Sequence, residues 1–212
     1  MALSKIQPAS MDLTANYAFT GTNSVSSVEY AEKKLQTLTA SGNTTRSFTS
    51  GIDSTYKIYK FRFINIHGSG STGDLVFQGS TQGSSSSDDD YANTITSNVF
   101  QSAHSEDNTT NAEIGYTGSA DQANGTSFQI ISATVGNEND ECVSGEMYLF
   151  DPSSTTFVKQ FLVRTNVLHP SDISVERWTG GYFNTTSAIN AIRFKLSAGN
   201  MDSGTIEMYG IN

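Results

Sequence analysis

From Leu35 onward, apolar and polar residues alternate with a period of two over most of the chain. Strands with one buried and one wetted face produce this pattern. The strongest run is YKIYKFRFINI, residues 56–66, which places Tyr59, Phe61 and Phe63 on one face and Lys60 and Arg62 on the other. Ile58, Ile64 and Ile66 are apolar on both parities, so a long strand that passes between environments is expected here. Shorter strands are predicted at 35–39, 45–49, 75–79, 95–100, 112–116, 128–135, 143–150, 157–165 and 173–178. At the end, Ile192, Phe194 and Leu196 alternate with Arg193 and Lys195, and Ile206, Met208 and Gly210 with Glu207 and Tyr209. The polar stretch 197–204 between these runs predicts a closing β-hairpin. Roughly ten to twelve strands at close spacing point to an all-β, two-sheet β-sandwich, jelly-roll-like in its connections. The sole helical signal is a short turn at Ser27–Lys34, too short to stand alone.

Residues 1–30 carry no sustained period, and Pro8, Asp12 and Gly21 interrupt any element. Apolar residues still recur at intervals. Such a segment is either a disordered leader or an extended arm laid on a partner, with Leu3, Ile6, Leu13, Tyr17 and Phe19 as its anchors. Residues 31–212 read as one sandwich domain. The stretch GSTQGSSSSDDD, 79–90, reads as a surface excursion, and the polar stretch 102–111 as a second one.

Composition narrows the function classes. Hydrophobic residues make up 36% of the 212 and charged residues 16%, with twelve Phe and nine Tyr. That is a folded chain, not a disordered one. The net charge of −9 and the absence of any Lys/Arg run beyond Lys33-Lys34 disfavour a nucleic-acid partner. No apolar run approaches the length of a membrane span, and the first residues lack a secretory signal pattern. The lone Cys142 excludes an intrachain disulfide and reads as a buried small hydrophobe.

Motifs for chemistry are weak. Gly68-Ser69-Gly70-Ser71-Thr72-Gly73 matches the dinucleotide fingerprint in form only. A strand, not a helix, follows it, so the glycines read as a hairpin loop and no nucleotide cofactor is expected. Asp88–Asp90 and the group Glu138, Asp140 and Glu141 lack the spacing of a calcium loop, and the consecutive aspartates read as solvated charge. His67, His104 and His169 stand apart in no metal-binding spacing and read as loop residues. No nucleophile elbow occurs. No catalytic residue, metal ligand or cofactor is therefore assigned, and a glycan-cleaving enzyme would need a close carboxylate pair in a cleft. Sequons at Asn43, Asn108, Asn124 and Asn184 read as by-products of Asn/Thr-rich turns.

WTGGYF, residues 178–183, gathers three aromatics around Gly180-Gly181. One reading is an exposed platform for a sugar, with Trp178 and Tyr182 as candidate glycan contacts beside the 102–111 stretch. The favoured reading is a core-facing strand end with a bulge at the glycines, or a contact between subunits.

MALSKIQPASMDLTANYAFTGT at the start and IRFKLSAGNMDSGTIEMYGI at the end resemble virion structural proteins of tailed bacteriophages, the marine and cyanobacterial types above all. LQTLTASGNTTRSFTSGIDSTYKIYKFRFINIH also fits, whereas 68–136 does not match. The resemblance implies a non-enzymatic protein of the particle exterior, made in the host cytoplasm. It would be a capsid decoration, a head fibre, or a tail-fibre or baseplate part. It also implies a homo-oligomer, a trimer first, held to other virion proteins by the arm. A host-glycan receptor module is the alternative.

Overall fold

The computed structural model describes residues 31–70, 72–83, 87–109 and 111–211. The expected arm and its five anchors therefore lie outside the described residues. The twelve strands are β1 (Glu32–Thr39), β2 (Thr45–Phe48), β3 (Ile58–Gly68), β4 (Gly73–Ser80), β5 (Ile95–Ser105), β6 (Asn111–Tyr116), β7 (Gln129–Val135), β8 (Val143–Phe150), β9 (Lys159–His169), β10 (Ile173–Phe183), β11 (Ala191–Leu196) and β12 (Met201–Ile211). Every predicted strand is present. The helical turn expected at Ser27–Lys34 is not formed where it can be seen, since Glu32–Lys34 belong to β1.

Two antiparallel sheets build the sandwich. The larger runs β1-β12-β3-β8-β9-β10-β5-β6 and the smaller β2-β11-β4-β7. The first four strands of the large sheet and the four of the small sheet are joined pairwise by short arches: β1 to β2, β11 to β12, β3 to β4 and β7 to β8. The arches hydrogen-bond to one another at one end of the sandwich. Asn43 and Met201 exchange backbone bonds of 2.9 Å, Ser69 N donates to Asn200 O at 2.9 Å, and Gly68 N donates to Gly136 O at 3.2 Å.

This topology corrects two expectations. The closing run is not a hairpin: β11 pairs with β2 and β4, and β12 pairs with β1 and β3 in the other sheet. Alternation fixes which side of a strand faces the core but not which strand accepts its hydrogen bonds. Ile192 and Phe194 enter the core from one sheet, and Ile206 and Met208 from the other. The glycine loop after β3 is likewise an arch between sheets.

The core is dominated by phenylalanine. Phe194 sits at its centre, with ring centroids of Phe63, Phe61, Phe77 and Phe48 at 5.1, 5.4, 6.2 and 6.3 Å. Most of these contacts are edge-on, the favoured arrangement for aromatic quadrupoles. As predicted, Tyr59, Phe61 and Phe63 are buried. The change of parity at the end of β3 is a bulge. The register with β8 shifts between Phe63 and Ile66, Asn65 has φ 49°, Ile64 turns to solvent and Ile66 returns to the core. Gly204 in β12, at φ 101°, lies against this bulge, and a Cβ there would fall 2.3 Å from Asn65 O.

Asp88, the first residue of the 88–90 charge run, is not free in solvent. Asp88 accepts from Arg193 Nη1 at 2.7 Å and from Lys195 Nζ at 2.6 Å, while Tyr91 lies under the Arg193 guanidinium at 4.1 Å. Burial works to raise the Asp88 pKa, and Lys195 and Arg193 outweigh it and hold it low. The segment is thereby clamped over the outer face of the small sheet. Glu141 is not solvated either: it is buried, and its Oε2 accepts from Glu138 N at 2.7 Å. His67 lies in β3 rather than in a loop, and its ring nitrogens face Asp202 Oδ1 at 2.7 Å and Glu138 O at 2.8 Å. His104 is also in a strand, β5, and His169 closes β9. Cys142 is half-buried, with its Sγ 4.0 Å from Asn65 Oδ1.

Candidate functional site

The outer face of the large sheet carries the candidate site. Continuous register sets its side chains in transverse rows. One row runs Tyr116, Phe100, Trp178, Arg164, Glu146, Arg62, Glu207 from β6 to β12. The adjacent row runs Asn98, Gly180, Leu162, Tyr148, Lys60, Tyr209. Cross-strand neighbours on one face are the interacting units of a sheet, so each row can be read as a chain of contacts.

Toward β1 the rows are charged and paired. Lys60, only 5% exposed, donates to Glu32 at 3.1 Å and contacts Glu146 at 2.9 Å. Arg62 donates to Glu32 at 2.8 Å and stacks on Tyr209 at 4.7 Å. Lys34 donates to Glu207 at 2.9 Å. Burial works against the Lys60 ammonium, but Tyr148, Glu146 and Glu32 outweigh it and raise its pKa.

Toward β6 the rows are apolar and open. Phe100, Trp178, Leu162 and Tyr148 border a groove of about 320 Å³, with Asn98 at its rim and Gly180 in its floor. Gly180 leaves this space. A Cβ there would meet its nearest atoms, on Asn98 and Leu162, at 3.6 Å, which is ordinary contact. Leu162 is 55% exposed, and beyond Phe100 the patch continues to Ile114 and Tyr116, 68% and 65% exposed. Large exposed apolar patches are characteristic of interaction surfaces.

The WTGGYF segment thus divides in a way its sequence did not indicate. Phe183 is buried in the core, whereas Trp178 and Tyr182 lie on the outer face. No bulge forms at Gly180-Gly181, because β10 pairs without interruption from Ile173 to Phe183 on both sides. Trp178 borders the groove and Tyr182 does not. The 102–111 stretch is not brought to Trp178 either: residues 102–105 form the far end of β5, and Ser105, Asp107 and Thr109 close a separate polar turn beyond it. Phe100, Tyr148 and Leu162 were missed as site residues. Leu162 sits in the run Phe161-Leu162-Val163, which reads as wholly buried, and only its parity against Phe161 and Val163 marks it as outward.

The chemistry open to the groove follows from its lining. Both faces of Trp178 are occupied, by Phe100 stacked at 5.2 Å and 13° and by the Arg164 guanidinium at 5.9 Å. The two charged rim groups are engaged as well, Arg164 with Glu176 and Glu146 with Lys60. A sugar ring needs a free aromatic face and several polar partners, whereas an apolar side chain needs only the cavity. Among the described residues no group of three or more His, Cys, Asp or Glu converges as metal ligands, and Glu141 is the only carboxylate residue classed as buried. No protein-family model, curated protein or solved structure matches the chain.

Proposed function

We propose that this chain is a non-enzymatic structural protein of the exterior of a tailed-phage virion, a rigid β-sandwich that joins neighbouring proteins through apolar contacts. The observation that carries this reading is the bare apolar groove and edge patch on a sheet face whose other half is closed by ion pairs. A surface kept apolar at that size suits assembly. The likeness of both chain ends to virion proteins supplies the setting, whether decoration, head fibre, tail fibre or baseplate. Mass spectrometry of density-purified particles tests it. The protein should be found in fixed stoichiometry with the major virion proteins, and its absence from clean particles would overturn the proposal.

The alternative, a host-glycan receptor module, draws on Trp178 at the groove. Glycan-array binding by the isolated protein that disappears in Trp178→Ala would establish it in place of the assembly reading.

A further inference from the structure

We infer that the groove over Gly180 is the seat for the apolar N-terminal segment, residues 1–30, of a neighbouring copy of this chain. The inference rests on the assembly reading above and names the partner. Three observations carry it. The groove is apolar, with a volume suited to a Leu, Ile, Tyr or Phe side chain, and its aromatic faces and charged rim are already engaged within the sheet. The thirty residues ahead of the first described one carry spaced apolar side chains, among them Leu13, Tyr17 and Phe19. Fully extended they span about 100 Å, far more than the roughly 20 Å across four strand spacings that separates β1 from β9.

The direction of approach selects a neighbour over the same chain. A segment leaving β1 toward its own groove would cross Lys60, Arg62 and Glu146 and take water from the exposed carboxylates of their ion pairs, which opposes apolar burial along that path. A segment arriving over the β6 edge crosses Ile114, Tyr116 and Phe100, all exposed and apolar. The apolar path leads outward from the molecule, toward another copy.

Trp178 is the only tryptophan of the chain, so its fluorescence reports on the groove without a label. In the full-length protein, acrylamide should quench Trp178 weakly at high concentration and strongly on dilution, in step with the fall in mass measured by light scattering. Replacing the five anchors together (Leu3→Asp, Ile6→Asp, Leu13→Asp, Tyr17→Asp, Phe19→Asp) should give a folded monomer with strongly quenched Trp178 at every concentration. Phe19→Ala alone should weaken association about tenfold or more. Gly180→Leu, which fills the groove from an unstrained backbone position, should also give a monomer with an unchanged circular dichroism spectrum. Assembly that survives the fivefold substitution removes the N-terminal segment as occupant, and assembly that survives Gly180→Leu removes the groove. A monomer whose Trp178 is protected independently of dilution places the segment in its own groove and overturns the neighbour. Presence in particles is read separately, so this inference can fail while the virion reading stands.

Discussion

The two halves of one sheet face, built on the same eight-stranded ladder, meet water in opposite ways. Across β1, β12, β3 and β8, every outward cation has an acid one or two strands away, and Lys60 is covered by its own partners. Across β9, β10, β5 and β6, one row continues as Arg164, Trp178, Phe100 and Tyr116 and the other as Leu162, Gly180 and Asn98, with the glycine where a side chain would close the gap. Strand geometry is common to both, so side-chain choice alone separates a finished surface from a receptive one.

The reference for that comparison is the core beneath both halves. Phe194→Ala should lower stability by about 3–5 kcal/mol in urea unfolding, since it removes the ring that four other phenylalanines pack against. Next, Lys60→Met leaves Glu32 and Glu146 without their shared cation and should cost about 1–3 kcal/mol in the same assay. Trp178→Ala in the open half should cost the isolated protein about 1 kcal/mol or less while abolishing self-association. A Trp178 cost above that of Lys60 would show that the open half is as much a part of the fold as the paired half. Arg164→Ala at the boundary should change stability by about 0–1 kcal/mol, with any effect shrinking as salt is added.

The smallest effect is a pH dependence at the arch end. Burial works against the His67 cation, but Asp202 and the Glu138 carbonyl, both acceptors, outweigh it and raise its pKa. A folded-state pKa above the unfolded one gives stability that is fully present below the unfolded value of about 6.5 and lost as pH rises through the folded value. Unfolding midpoints should therefore fall on going from about pH 5 to pH 8, and His67→Gln should flatten that slope without changing the behaviour of either half of the sheet face.

The strands were legible because alternation reports local burial, and Tyr59, Phe61 and Phe63 are inward as their spacing requires. Connectivity was not. A polar turn between two amphipathic strands serves a hairpin and an arch equally well, and only the opposite sheet distinguishes them. The clamp of Asp88 on Arg193 and Lys195 joins residues more than a hundred positions apart, beyond the reach of any local signal. The groove was half legible. Trp178 stood out by its type, but Phe100, Leu162 and Tyr148 become a site only when β5, β9 and β8 are aligned beside it.

The pairing of Glu32 with Ile211 at the end of the β1–β12 ladder has a mechanical consequence. Whatever precedes the first strand and whatever follows the last leave from one corner, at the end away from the stacked arches. A load carried between those two leads would open the β1–β12 bonds one at a time, like a zipper. The β1–β12 ladder is thus the weak line of the module for tension applied between its two ends.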